Sequence, residues 1–349
     1  MNSLSHIAWR KFKKNSLGVF GLIIITIAVV ISFLGYVLFP DSTPYSNQMH
    51  LELSKKEPGF TTVFILVPKE SVPEVNLFEK MLFGQESQFE EIPISTYRED
   101  NGVLWYTPFD SQYEQKFSDS NYLISDRTYI LGTDSFGRDL LSRILCGTRV
   151  SLSVGFISVF ISLLIGISLG AIAGYYRGRV DAAIMWLVNV VWSIPTLLMV
   201  IAISLALGKG FWQVFVAVGL TMWVEVARIV RGEVLSVREN EYVEAAKTLG
   251  FSHFRILFKH ILPNVMGAVI VISAANFASA ILIEAGLSFL GIGAQPPMPS
   301  WGTMIKDHYA FIVMGKSYLA IFPGIAIMLL VLSFVLLGNA LRDALDVRS

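Results

Sequence analysis

Leu17-Gly-Val-Phe-Gly-Leu-Ile-Ile-Ile-Thr-Ile-Ala-Val-Val-Ile-Ser-Phe-Leu-Gly-Tyr-Val-Leu-Phe39 runs for 23 residues without a charge. At about 1.5 Å per residue, a helix of that length reaches roughly 35 Å, enough to cross a ~30 Å hydrocarbon core. Arg10, Lys11, Lys13 and Lys14 precede it, which is also how a secretory signal begins. A signal core is only about 7–15 residues long and ends at a small-residue cleavage site. No such site follows Phe39. The stretch reads as a retained membrane span.

Outward from it lie five more apolar segments, at about 151–174, 182–207, 211–227, 265–290 and 318–338. Lipid offers the backbone no hydrogen-bond partners, so each is predicted to be a helix. The composition agrees: of 349 residues, 54% are hydrophobic and 15% charged, against about 25% charged in soluble domains. Such a chain is neither disordered nor built to bind nucleic acid, and it is a poor candidate for a soluble enzyme. The single cysteine, Cys146, permits no internal disulfide and no multi-cysteine zinc site. His6, His50, His253, His260 and His308 are scattered and suggest no metal.

Lysine and arginine in short loops orient the spans. The N-terminus, Arg177 and Arg179, the loop holding Arg228, Arg231, Arg238, Lys247, Arg255 and Lys259, and Arg342 and Arg348 all fall on one side if there are six spans. That side is expected to be the cytoplasm, with both termini inside. Asp41 to Arg127 falls outside and carries 15 acidic against 7 basic residues, a net charge of −8. Within this insertion, 41–130, the segments Phe60–Val67, Glu91–Tyr97 and Val103–Tyr106 read as short strands of a small β-rich domain.

Several side chains within or beside the spans invite a role. Ser158, Ser162, Gly166, Gly170 and Gly174 share one helix face, which suits close helix packing. Pro195 predicts a bend. Glu225 and Glu284 either mark a solute path or are ordinary carboxylates near a boundary or held between helices. Phe136, Leu140, Leu141, Ile144 and Leu145 predict an amphipathic interfacial helix stopped by Gly147. Thr133, Asp134 and Asp139 read as turn-forming, solvated residues rather than metal ligands.

The loop after the fourth span, about 228–264, is longer than a helix–helix link requires. Ser236 and Glu239 have capping-box spacing, so a helix is expected from there to about Leu249. Gly250 suits a left-handed stop. Ser252 is placed to cap a second helix, His253 to Leu262, bounded by Pro263. Ala245 and Ala246 are expected to give this knob a flat, small-residue surface for docking into a groove on a soluble partner.

Glu244-Ala245-Ala246, Gly250 and Ile261-Leu262-Pro263, so spaced, closely resemble the EAA signature of bacterial ABC-importer permeases. The signature generally has isoleucine where His260 stands; His260-Ile-Leu-Pro-Asn264 is similar to the dipeptide/oligopeptide branch. Leu131-Gly-Thr-Asp-x-x-Gly-Arg-Asp-Leu-Leu-Ser-Arg143, Glu284-Ala-Gly-Leu-Ser-Phe-Leu-Gly291, Gln295-Pro-Pro-x-Pro-Ser-Trp-Gly302 and Leu341-Arg-Asp-Ala-Leu-Asp346 point the same way. The resemblance covers 1–40 and 131–349, the second stretch being the permease core. It implies an all-α membrane protein of about six transmembrane helices, with the type I importer permease fold and the β-rich insertion between helices 1 and 2. It implies a C-type, pore-forming partner in a heterodimer of the inner membrane, carrying di- or oligopeptides, or a similar solute such as glutathione or a nickel chelate, delivered by an extracytoplasmic binding protein. The coupling residues it implies are Glu244, Ala245, Ala246, Gly250, His260, Leu262 and Pro263, with Glu244 pairing to a basic group of the ATPase or capping its own helix. No G-x-x-x-x-G-K-[ST] occurs, so ATP and magnesium are expected on one or two separate ATPase subunits, and no cofactor or catalytic residue in this chain. A proton-coupled secondary transporter, a membrane enzyme and a scaffold subunit are the competing readings. The first needs mid-membrane ionisable groups and often internal repeats, and no repeat is evident; the second lacks a visible nucleophile–base pair.

Overall fold

The computed structural model describes residues 4–73, 75–100, 102–118, 121–208 and 210–345. The first half of the chain contains α1 (Leu4–Lys14), α2 (Ser16–Leu38), β1 (Phe60–Pro68), α3 (Leu77–Phe83), β2 (Phe89–Asp100), β3 (Val103–Pro108), β4 (Gln115–Lys116), β5 (Leu123–Tyr129) and α4 (Leu140–Tyr176). The second half contains α5 (Gly178–Trp192), α6 (Thr196–Leu207), α7 (Phe211–Val237), α8 (Glu241–Thr248), α9 (His253–Ile256), α10 (Leu262–Phe289), α11 (Trp301–His308) and α12 (Tyr318–Leu345). The protein is mostly helical, with a small antiparallel sheet inserted between the first two long helices. Five helices are long and apolar enough to cross a membrane, and α5 with α6 makes a sixth span if that bent pair counts as one.

Two compact units form. One gathers the residues up to Ala28, 151–295 and those from Ile327 on; the other gathers 29–150 and 296–326. In the first, α7 is the organising helix. Val226, Val230 and Val234 are buried with Ile256, Ile261, Val265 and Val269. The small-residue stripe of α4 packs on α7 as its spacing predicts. A Cβ on Gly170 would lie 2.5 Å from the Ala227 carbonyl oxygen, and one on Gly174 would lie 2.9 Å from that of Arg231. The Ser158 hydroxyl donates to the Phe215 carbonyl at 3.1 Å. Only glycine and serine let two backbones come this near. Phe12 of α1 is buried with Ala340 and Ala344 of α12.

Two helix boundaries differ from the sequence expectation, and one expected bend is present. The helix expected from Ser236 to Leu249 starts later, as α8 at Glu241, because α7 continues through the charged stretch to Val237. Its last turns remain amphipathic: Val230 and Val234 face the core, and Arg231 binds Asp181 through two hydrogen bonds of 2.5 and 2.6 Å. The expected bend at Pro195 is an 89° break between α5 and α6. Proline removes a donor and clashes with the preceding turn. Pro263 does not end a helix. It occupies the first turn of α10, preceded by a π-helical turn over Leu257–Ile261, so His253–Phe289 is one long helical segment. In the first turn a missing N–H costs little.

In the second unit the five strands pair antiparallel in the order β4-β3-β2-β1-β5. One face buries Leu53, Phe64 and Tyr129, the other Ile65, Ile94 and Leu104, as strand alternation requires. Glu91 of β2 accepts two hydrogen bonds from Arg127 of β5, at 2.6 and 2.8 Å, and His50 Nε2 lies 3.3 Å away. Burial raises the Glu91 carboxyl, but these hydrogen bonds and the Arg127 charge outweigh it and hold the pKa at about 2. The expected interfacial helix before Gly147 is a correction as well: Leu140 opens α4 itself, and Gly147 lies inside it. The reason for glycine there is space, since a Cβ would sit 2.7 Å from Trp301 Nε1. That nitrogen donates to the Ile144 carbonyl at 2.8 Å. Asp134 does form a turn, accepting from the Phe136 and Arg138 amides, but Thr133, Asp134 and Asp139 are buried rather than solvated.

Candidate functional site: the two-helix knob after α7

α8 and α9 make the knob in shortened form. Asn240, in extended conformation, precedes α8, and Glu244 lies in its first turn. The end of α8 follows the pattern that needs a left-handed residue. Gly250 has φ +75°, its N–H donates to the Lys247 carbonyl at 2.9 Å, and the Phe251 N–H donates to the Ala246 carbonyl at 3.1 Å. This is the Schellman arrangement, for which glycine carries no Cβ penalty. The Ser252 hydroxyl then accepts from the Arg255 amide at 3.4 Å and caps α9.

The structure distributes the expected site residues unevenly. Glu244 and Ala245 are exposed, and among the described residues the Glu244 carboxylate has no ion pair and does not cap its own helix. Ala246 is only 4% exposed and packs into the α7–α10 core, so it does not contribute to a flat outer surface. Helical spacing puts neighbours such as Ala245 and Ala246 about 100° apart, and only one of them can face out. The His260 ring stacks on Phe251 with centroids 5.9 Å apart, while its carbonyl accepts from the Asn264 amide at 2.7 Å. Leu262 packs partly buried against the core, and Pro263 is exposed.

Polar contacts tie the knob to the turn between α4 and α5. The Tyr175 hydroxyl and His253 Nδ1 are 2.8 Å apart, and Arg177 pairs with Glu239 at 2.5 Å. The Arg238 guanidinium donates to the Tyr175 carbonyl. These bonds join α9 and the link between α7 and α8 to the end of α4. The outer surface holds a feature that helix periodicity did not single out. Leu249, Phe254 and Phe258 are 72%, 70% and 50% exposed. The two phenylalanine rings touch, with centroids 4.2 Å apart. A cluster of exposed large apolar side chains rimmed by charge marks an interaction surface. Its sequence signal was present, since Phe254 and Phe258 are four apart and so on one helix face.

The family profile described as "Binding-protein-dependent transport system inner membrane component" matches residues 166–349, and that of the "N-terminal TM domain of oligopeptide transport permease C" matches 3–55. The glutathione transport system permease protein GsiD of Pectobacterium atrosepticum is 42% identical over 245 residues, covering 68% of this chain and 81% of its own. The dipeptide transport system permease protein DppC of Bacillus subtilis is 44% identical over 215 residues, covering 62% and 67%. The oligopeptide transport system permease protein OppC of Bacillus subtilis is 39% identical over 245 residues, covering 69% and 79%. Among solved structures, the MetNI methionine ABC transporter in an inward-facing conformation aligns with a TM-score of 0.49 and 17% identity, over 58% of this chain and 96% of that one.

Proposed function

Because this chain belongs to the family of binding-protein-dependent transport system inner membrane components, we propose that it pairs with a second, homologous permease to form the pore of an importer for di- or oligopeptides or glutathione. Membership makes it a multi-pass inner-membrane permease subunit of an ABC transporter complex and not the ATPase. The secondary-transporter, enzyme and scaffold readings lapse with it. The substrate class rests on the relatives, whose names specify glutathione, dipeptide and oligopeptide transport.

In this reading the knob docks on a cytoplasmic ATPase subunit. The observation that carries it is the exposed Phe254–Phe258 pair on a knob that also exposes Leu249 and Glu244 and is bonded to the end of α4. ATP-driven closure of the ATPases pulls on α8, and the contacts at Tyr175 and Arg177 transmit the movement to the spans. Both termini lie in the cytoplasm, as the basic loops argue, and the acidic insertion 41–130 faces the binding protein outside. The permease core spans 131–349, and the coupling set is Glu244, Ala245, Gly250, His260, Leu262 and Pro263, with Ala246 acting from beneath. The test is ATP-dependent peptide uptake by proteoliposomes holding both permeases and the ATPase, with the binding protein supplied on the outer side. Replacing Phe254 and Phe258 by serine should abolish uptake and co-purification of the ATPase while membrane insertion is kept. Unchanged co-purification would count against the docking surface.

A further inference from the structure

From Gln213 to Arg231, every residue of α7 is buried or half-buried except one: Glu225 is exposed. The sequence placed this carboxylate near the end of a span, but α7 runs on to Val237. Glu225 therefore lies 14 residues after Phe211 and 12 before Val237, at mid-helix. Among the described residues it has no hydrogen bond or ion pair. The cations that follow it are engaged elsewhere. The Arg228 guanidinium lies 3.4 Å from the Trp192 ring centroid, and Arg231 is held by Asp181. The other span carboxylate behaves differently: Glu284 is 1% exposed and accepts from the Ser288 hydroxyl, one turn on in the same helix, at 2.7 Å.

An unpaired carboxylate cannot face hydrocarbon cheaply, so it faces water or a cationic partner. Spacing of four, eight and eleven carries the same face of α7 from Glu225 to Ile229, Glu233 and Ser236. These three line a cleft of about 750 Å³ whose other walls include Asn264 of α10 and Arg342 of α12. Glu225 stands one helical turn before Ile229, the first α7 residue that lines this cleft.

We propose that Glu225 lines the aqueous translocation route and binds the cationic amino group of the solute as it passes towards this cleft. The assignment rests on the peptide-importer reading above. A protonated amine and a carboxylate satisfy each other by charge-assisted hydrogen bonds, and every free peptide, glutathione included, carries such an amine. N-acylated peptides do not.

Two measurements on the assembled importer in proteoliposomes test this. In the first, Glu225→Cys is treated with membrane-impermeant methanethiosulfonate reagents; wild type is the control, because its sole thiol, Cys146, is buried. Labelling of Glu225→Cys is expected. Reaction with lipid-soluble N-ethylmaleimide alone, or no reaction, overturns the proposal. In the second, ATP-driven uptake of trialanine and of N-acetyl-trialanine is compared. Wild type should prefer the free amine about tenfold or more, Glu225→Gln should lose most of that preference, and Glu225→Asp should restore it. An unchanged preference in Glu225→Gln overturns the amine assignment. If wild type moves neither peptide, the peptide reading fails and the amine assignment falls with it, while the labelling result still decides whether Glu225 faces water.

Discussion

Glycine-to-alanine exchange at two positions should change stability in opposite directions. On Gly170 a new Cβ would lie 2.5 Å from the Ala227 carbonyl oxygen and 3.0 Å from Val230 Cβ. An unstrained carbon–oxygen contact needs about 3.3 Å, so α4 and α7 must part by roughly 0.8 Å at that level. A gap of that size forfeits about a quarter to a half of the dispersion energy of each facing atom pair. Overpacking of this kind costs about 1–3 kcal/mol. On Gly286 of α10 a Cβ meets nothing within 4 Å, so alanine there only gains helix propensity, up to about 1 kcal/mol. Thermal unfolding in detergent can be followed with a maleimide dye that reports Cys146, which is 3% exposed and silent until the fold opens. The midpoint should fall by roughly 2–6 °C for Gly170→Ala, fall further for Gly170→Leu, and stay level or rise for Gly286→Ala. If Gly170→Ala is as stable as the parent, or the two alanine variants shift together, the close α4–α7 contact is refuted.

A Cβ on Gly250 has open space around it, so its cost is the left-handed backbone alone, on the order of 1–2 kcal/mol. Gly250→Val should therefore lose ATP-driven uptake and ATPase co-purification while Gly250→Asn keeps most of both; equal loss in the two, read by pull-down, argues against backbone geometry as the reason. Glu244→Lys should weaken ATPase co-purification by tenfold or more without changing the melting midpoint, because the side chain is exposed and has no ion pair among the described residues. The Glu91 carboxyl, held at about 2 when folded, makes its full contribution above the unfolded value of about 4.3. That contribution is lost as pH falls towards 2. The protection of β1 and β5 amides from hydrogen exchange, taken relative to the intrinsic rate at each pH, should accordingly fall across that range, and Glu91→Gln should flatten the dependence at a lower overall stability.

Much of the membrane part was legible along the chain, for a physical reason. Lipid forces every spanning backbone to satisfy itself, so long apolar runs can only be helices. The runs at Leu17–Phe39 and 318–338 meet helices at Ser16–Leu38 and Tyr318–Leu345. The glycine and serine stripe of α4 was equally readable, because helical periodicity needs no partner to be visible. Gly250 was legible too, since a left-handed residue at a helix end is a local demand.

Hydropathy marks where lipid ends, not where a helix ends. α7 passes the apolar limit at Ala227 and continues to Val237 because Val230, Val234 and Arg231 find partners in α10 and α5, and α4 begins 11 residues before its expected span. The strands at Gln115–Lys116 and Leu123–Tyr129 escaped notice because edge strands carry polar residues; Leu123–Tyr129 holds its place by pairing with β1 and through Arg127 on Glu91, 36 positions away. In the knob, sequence determined the turn and the residue types. Only the tertiary structure decided which alanine is buried, which aromatics stand free and that Glu225 is exposed, because facing in or out depends on which other helices cover each side.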